Sequence, residues 1–284
     1  MLQFAIPKKS SLSAPLRRFL AIAGYGLPEG EAEHTEANGV CFTEAGRRSI
    51  PTLIARGVFH AGITGYDLYL NAGESLRSVA ELCFSRSSMQ PTRWVLACRE
   101  GMVFDRGTVR VATELPCLAQ RLLDEAQVPF PYTIEEIDCT EELCVQAGLA
   151  DAVLTVTETG ASLRRYGLRL VPGCEELLVS TPRIFARERL DPDQEEVLQH
   201  LAIALKSVVE AQGKVMVSFD IDELHLTRLA LDCAVAPTVS PLGKRGWVAV
   251  QICIPRASYG CMLQRIMQAG GRSIVMQNIH GYMG

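Results

Sequence analysis

Between residues 93 and 157 short apolar, β-branched runs alternate with stretches of helical spacing. Strands read at Arg93–Cys98, Thr108–Ala112, Tyr132–Ile137 and Ala152–Thr157, with helices over 115–126 and 140–147 between them. A chain that alternates in this way builds parallel or mixed sheets with helices packed on their faces. The N-terminus has the same grammar: Leu2 to Ile6 is a buried strand, Pro7-Lys8-Lys9-Ser10-Ser11 a polar turn, and Leu12, Leu16, Phe19, Leu20 and Ile22 a helical stripe. Residues 26–39 read as a loop or weak hairpin, and Ile50 to Arg56 as one more helix. Ala61-Gly62-Ile63-Thr64-Gly65-Tyr66-Asp67-Leu68 reads as a glycine-bracketed loop that exposes amides at a helix start, a design suited to an anion.

At 284 residues the chain is too long for one simple core. A helix over 191–211 opens at Asp191-Pro192-Asp193. After it the order becomes strand (215–219), helix (222–230), strand (246–254), helix (258–269), strand (273–279), which fits a βαββαβ module. The fold class is therefore α/β: two periplasmic-binding-protein-like lobes with parallel or mixed sheets, plus a C-terminal ferredoxin-like α+β domain. Lobe I takes residues 1–90 with 181–211, lobe II takes 91–180, and the last domain 212–284. A ligand belongs in the cleft between the lobes, where strand carboxyl ends and helix amino ends converge.

Twenty-eight Lys and Arg against 32 Asp and Glu leave a formal charge of -4, so no general basic field gathers nucleic acid or anionic lipid. Ten cysteines without a CxxC, some inside apolar runs such as Trp94-Val95-Leu96-Ala97-Cys98, read as reduced thiols. The N-terminus turns polar before a signal-peptide core is built, and no apolar stretch reaches membrane-spanning length. A cytoplasmic protein is expected. The five histidines show no ligand spacing, so no protein-held metal site is expected; His60 reads as a packing or surface residue.

The chemistry concentrates in Asp151-Ala152-Val153-Leu154-Thr155-Val156-Thr157-Glu158-Thr159-Gly160-Ala161-Ser162-Leu163. A strand runs into a Thr-Gly-Ala-Ser loop and a helix, so amides and hydroxyls surround a phosphate while Glu158 at the entrance accepts from the hydroxyls of an attached sugar. A sugar phosphate satisfies both; a plain structural cap is the competing reading.

Several segments, in order and over nearly the whole chain, carry a resemblance: Ala5-Ile6-Pro7-Lys8, Ile50-Pro51, Gly62 to Leu68, Val111-Ala112-Thr113, Gly148-Leu149-Ala150-Asp151-Ala152, Thr159 to Leu163 with Gly167-Leu168, and Pro237 to Leu242 with Trp247-Val248-Ala249-Val250. The chain resembles the ATP phosphoribosyltransferase family in its long form with a C-terminal regulatory domain. That resemblance implies transfer of phosphoribose from phosphoribosyl pyrophosphate to N1 of the ATP adenine, the opening step of histidine biosynthesis, with Mg²⁺ on the departing pyrophosphate, feedback by histidine and a homo-oligomer of two to six subunits. It also implies roles: Thr159, Gly160, Ala161 and Ser162 on the 5-phosphate, Glu158 on the ribose diol and Lys8 facing the pyrophosphate; Thr155, and Gly65 from the reading of its own loop, are further substrate-binding candidates.

The chain departs from that pattern near the site. Thr155 stands where the family has an Asp, Lys9-Ser10-Ser11 replaces a Gly-Arg, and Gly46 and Ser49 replace an Arg and an Asp, so that Arg47 and Arg48 are the candidate replacements. Phe84-Ser85-Arg86-Ser87 and Leu115-Pro116-Cys117 also differ. In the last domain Ser218 replaces the acid expected on the effector amino group and Ala234 and Ala236 replace a Leu and a Ser, while Thr238 and Ser273 remain as effector candidates. A specialised paralogue using another nitrogen heterocycle is one expectation; a noncatalytic ligand-sensing or partner subunit is the alternative from another class.

Overall fold

A computed structural model describes residues 1–8, 10–27, 34–85, 90–104, 107–137, 141–227, 229 and 237–284. The sequence readings at Lys9, Arg86, Ser87, Cys139, Cys233, Ala234 and Ala236 lie outside the described residues. The chain divides into two compact units, Met1–Ala21 with Tyr25–Ala202, and Ile22–Gly24 with Ile203–Gly284.

The first unit holds two sheets. In chain order its first lobe contains β1 (Leu2–Pro7), α1 (Ser13–Ile22), β2 (His34–Ala37), β3 (Val40–Ala45), α2 (Ile50–Ala55), β4 (Ala61–Gly65), α3 (Tyr66–Ala72) and β5 (Arg77–Glu81). The second contains β6 (Thr92–Arg99), β7 (Val109–Thr113), α4 (Pro116–Glu125), β8 (Tyr132–Glu136), α5 (Glu141–Ala147), β9 (Ala152–Thr157), α6 (Ala161–Arg165), β10 (Leu168–Leu170) and β11 (Leu178–Ser180). The chain then returns as β12 (Pro182–Ala186), which joins the first sheet between β4 and β5, and enters α7 (Pro192–Gln212).

The first sheet has the order β2-β3-β1-β4-β12-β5 and the second β10-β6-β9-β7-β8, with β11 also on β6. Both are mixed: β1 runs parallel to β3 and β4, and β7 parallel to β8 and β9, whereas β6 is antiparallel to β9 and β12 to β4. β1 sits between two neighbours with Leu2, Phe4, Ala5 and Ile6 buried, which is why it reads as an unbroken apolar run. The second lobe's sheet is packed on both faces. Trp94, Leu96 and Leu154 join Leu118 and Leu122 of α4 on one side, while Val95, Val153 and Leu163 join Cys144 and Val145 of α5 on the other.

Residues 61–65 are a fully buried strand, not a glycine-bracketed loop. Gly62 is required by close approach: a Cβ would sit 2.9 Å from both the Cβ and the carbonyl oxygen of Ala5 on β1, and 3.2 Å from Ile50 of α2. His60, just ahead, accepts the Gln3 amide on Nδ1 at 2.9 Å. Burial lowers its pKa, and its ring ties β1 to the segment ahead of β4.

The second unit follows α7 with β13 (Lys214–Asp222), α8 (Glu223–Leu226), β14 (Thr238–Pro241), β15 (Trp247–Pro255), α9 (Tyr259–Gln268) and β16 (Arg272–Asn278). The antiparallel order β14-β15-β13-β16 is that of a ferredoxin-like sheet. Val215, Val217, Phe219 and Ile221 of β13 and Val248, Val250, Ile252 and Ile254 of β15 alternate inward against Met262 and Ile266 of α9. Among the described residues no helix is long and apolar enough to cross a membrane.

Candidate active site

A cleft of about 450 Å³ is lined by both lobes of the first unit. The first lobe contributes Pro7, Ser10 to Leu12, Arg47, Thr64, Gly65, Asp67, Leu68, Phe84 and Ser85; the second contributes Val156 to Thr159 with Ala161 and Ser162; Thr92 and Ser180 to Pro182 belong to the segments that cross between them. Most of the polar groups are neutral hydroxyls. Arg47 is the cation among the described lining residues, and Asp67 and Glu158 are the carboxylates.

The turn after β9 is built by its own side chains. Thr157 Oγ1 accepts the Gly160 amide at 2.9 Å, and Gly160 adopts φ +70°, a left-handed backbone that glycine takes without a Cβ penalty. A Cβ there would also approach the Arg164 guanidinium to 3.1 Å. The Gly160 amide is thus already engaged, and the residue contributes a conformation rather than a donor. α6 starts at Ala161, so the amides of its first turn lack intrahelical acceptors. Thr159, Ala161 and Ser162 are exposed to the cleft, and among the described residues the Thr159 and Ser162 hydroxyls meet no hydrogen-bond partner. Glu158 lies half-buried beside them.

Gly65 also lines the cleft, but the amides after it are occupied. Tyr66 donates to the Thr181 carbonyl at 3.0 Å, Asp67 to Ser180 Oγ at 3.1 Å, and Leu68 to Asp67 Oδ1 at 2.9 Å. The crossing segment and Asp67 thus occupy the three amides that open α3, Tyr66 to Leu68, which the sequence reading had exposed to an anion. A Cβ on Gly65 would overlap the Asp67 carboxylate; the glycine makes room for that cap.

The expected cations divide. Lys8 is exposed at the end of β1, where its amide bonds the Ala45 carbonyl at 2.8 Å, and its neighbours Pro7 and Ser10, not Lys8 itself, form the cleft wall. Arg47 reaches the cleft and is paired with Glu114 of the second lobe. Arg48 shares the same carboxylate at 3.1 Å and approaches Glu136 at 3.8 Å. Glu114 and Glu136 lie at the carboxyl ends of β7 and β8, so the two arginines bridge the lobes.

Thr155 lies away from the cleft surface. It is buried, and its hydroxyl donates to Glu141 Oε2, while Glu141 Oε1 accepts the Glu114 amide at 3.0 Å. Burial, with the nearby charges of Glu114 and Glu142, pushes the Glu141 carboxyl up to about 7. Sequence reasoning passed over Glu141 and Glu142. The available signal was two adjacent acids opening a helix whose next turn is Cys144-Val145, since acids that are buried rather than solvated need partners.

In the second unit the register aligns Thr238 with Gln251 and Gln251 with Ser218, and Ser218 with Val275, so these residues form one row across the sheet. The row lies opposite the face that carries Val217 and Ile252 into the core. Ser273 stands apart, exposed and at φ +50°.

The chain matches the family model described as "ATP phosphoribosyltransferase" over residues 47–207 and the model of the HisG C-terminal domain over 211–281. It is 33% identical over 287 residues to an ATP phosphoribosyltransferase of Salinispora tropica, covering 98% of each chain, and 29% identical over 300 residues to one of Chlorobaculum parvum, covering 99% of this chain and 97% of that one. A solved ATP phosphoribosyl transferase (HisG:HisZ) complex from Thermotoga maritima has the same fold, with a TM-score of 0.64 at 24% identity, over 75% of this chain and 99% of that one. The two-lobed unit, the ferredoxin-like unit that follows it and the matches spanning both identify the chain as a phosphoribosyltransferase belonging to the ATP phosphoribosyltransferase family, in the form that carries a C-terminal domain.

Proposed function

We propose that the protein transfers phosphoribose from phosphoribosyl pyrophosphate to N1 of the ATP adenine, the first step of histidine biosynthesis, in the cleft of its first unit. The observation that carries this reading is the turn at Thr159–Ser162: two hydroxyls without partners among the described residues line the cleft, at the start of α6 and beside a half-buried carboxylate. The hydroxyls and amides hold the 5-phosphate, and Glu158 accepts from the ribose hydroxyls. As pyrophosphate leaves, positive charge develops on the ribose carbon, and the Glu158 carboxylate is well placed to oppose it. No covalent nucleophile is needed; orientation and electrostatics supply the rate.

Arg47 is the cation for the leaving group. It is held at the cleft by Glu114, and an entering pyrophosphate competes for it with a larger charge. Lys8, exposed on the same side, adds to the local positive charge. Among the described residues no group of three or more His, Cys, Asp or Glu could hold a metal ion. A hydrated magnesium ion that arrives on substrate phosphates and keeps its waters suits a cleft of hydroxyls with a carboxylate at its wall. Glu158 is the residue that would face it, since both Asp67 oxygens are taken by the Leu68 amide and the Trp94 indole, and the ion would neutralise the departing pyrophosphate. The enzyme works in the cytoplasm as a homo-oligomer, in keeping with its family.

The test is turnover. With phosphoribosyl pyrophosphate, ATP and Mg²⁺ the protein should release pyrophosphate, and Glu158→Gln should lower kcat/KM by about 10²-fold, the scale of a lost charge-assisted contact in a closed site. Absence of pyrophosphate release with ATP and with a panel of nitrogen heterocycles overturns the reading.

A further inference from the structure

β7 and β9 are neighbouring parallel strands whose ladder aligns only Val111 with Ala152 and Ala112 with Val153. Beyond those pairs the strands lead into the segments that form the site: β7 into Glu114, which holds Arg47 and Arg48, and β9 into the Thr157–Ser162 turn. The Glu141 carboxyl sits where the ladder stops. One oxygen accepts the Glu114 amide and the other the Thr155 hydroxyl, so a side chain of α5 splints the two strands.

We propose that Glu141 is a positioning residue that fixes the Glu114 loop and the phosphate turn relative to one another through its bonds to the Glu114 amide and the Thr155 hydroxyl. The inference rests on the proposed phosphoribosyl transfer for its kinetic consequence, and on geometry alone for its structural one.

Among the described residues the groups acting on this carboxyl are Glu142 on its own helix, Glu114 at the end of β7 and neutral Thr155 on β9; Arg47 and Arg48 bond the Glu114 carboxylate, and Arg48 also approaches Glu136. β6 presents apolar Val95 and Ala97 to this side of the sheet. Among the described residues no cation bonds the carboxyl directly, which is consistent with its being pushed up to about 7. Both protonation states keep the splint. Ionised, the carboxylate accepts from both donors; neutral, it accepts the amide on one oxygen and shares its proton with the Thr155 hydroxyl. What changes is one negative charge behind an anion-binding turn. Substrate affinity should therefore fall as pH rises through neutrality.

Three readouts test this. Hydrogen exchange at a single pH reads the splint without substrate: Glu141→Ala should speed exchange in both 113–116 and 156–163, and Glu141→Gln, whose amide accepts from Glu114 and donates to Thr155, should restore protection. Calorimetric titration with phosphoribosyl pyrophosphate reads the charge: the wild-type dissociation constant should rise about three- to tenfold from pH 6 to pH 8, and that of Glu141→Gln should stay flat after the shared titration of the ligand is subtracted. In turnover, Glu141→Gln should keep kcat within about threefold while Glu141→Ala raises KM at least tenfold. Unchanged exchange in Glu141→Ala, or the same pH dependence in Glu141→Gln and wild type, overturns the proposal. A wild type that neither binds nor turns over phosphoribosyl pyrophosphate refutes the functional reading instead, while the exchange measurement still decides the role of Glu141.

Discussion

Trp94 donates its indole Nε1–H to Asp67 Oδ2 at 3.0 Å, tying a buried strand of the second lobe to the first helix after β4. The other Asp67 oxygen caps the Leu68 amide, so one carboxylate holds a helix start and an inter-lobe contact together. Replacing Asp67 by Asn would keep one acceptor and turn an N–H₂ group toward the indole N–H. Asp67→Asn should therefore cost about 1–3 kcal/mol, and Trp94→Phe a similar amount through the lost charge-assisted bond. Chemical denaturation measures both, and a loss below about 0.5 kcal/mol in each contradicts the assignment.

Glu114 should behave differently. Its partners Arg47 and Arg48 are substantially exposed, and such pairs contribute about 0–1 kcal/mol after solvent screening. Glu114→Gln is expected to leave the unfolding midpoint nearly unchanged. It should also lower KM for phosphoribosyl pyrophosphate a few-fold, because Arg47 no longer has to leave a carboxylate for the substrate. A raised KM would show that Glu114 orients Arg47 rather than competing for it.

Stability carries its own record of Glu141. A carboxyl raised from 4.5 to about 7 on folding binds more protons in the native state than in the unfolded chain between those values. Its contribution is therefore fully present below about 4.5 and is lost as pH rises through about 7. The span amounts to roughly 3 kcal/mol. Relative to Glu141→Gln, the wild type should lose about 5–10 °C of Tm between pH 5 and pH 8; parallel Tm profiles for the two proteins contradict the burial described.

Gly62 supplies a purely steric prediction. Gly62→Ala places a methyl group 2.9 Å from backbone of β1, which cannot yield as a flexible side chain can, so a loss of about 1–3 kcal/mol is expected on unfolding. Gly73→Ala offers a contrast: nothing lies within 4 Å, and the strain comes from φ +65° alone. Its loss should be the smaller of the two.

The elements legible in the sequence are those whose burial is continuous. β1, β6 and β9 announce themselves because both faces are packed, as does α7 through its acidic opening. β10, β11 and β12 are short, and Arg169 and Arg183 interrupt two of them, so no run marks them. β4 was obscured for a different reason. Gly62 and Gly65 resemble turn punctuation, whereas each makes room for a neighbour, one for Ala5 and one for the Asp67 carboxylate. At the site, the Thr159–Ser162 turn is local and its strand–turn–helix form could be read. The Arg47–Glu114 and Glu141–Thr155 pairs join residues distant in sequence, and no periodicity records such partners. The resemblance directed attention to Thr155 as a ribose contact; its hydroxyl is instead directed to a buried acid.

A crystal of the protein grown with phosphoribosyl pyrophosphate and Mg²⁺ tests the central claim most directly. The 5-phosphate should lie within hydrogen-bond distance of the Thr159 and Ser162 hydroxyls, with Glu158 on the ribose. A phosphate seated elsewhere, with those hydroxyls turned to other protein groups, contradicts it.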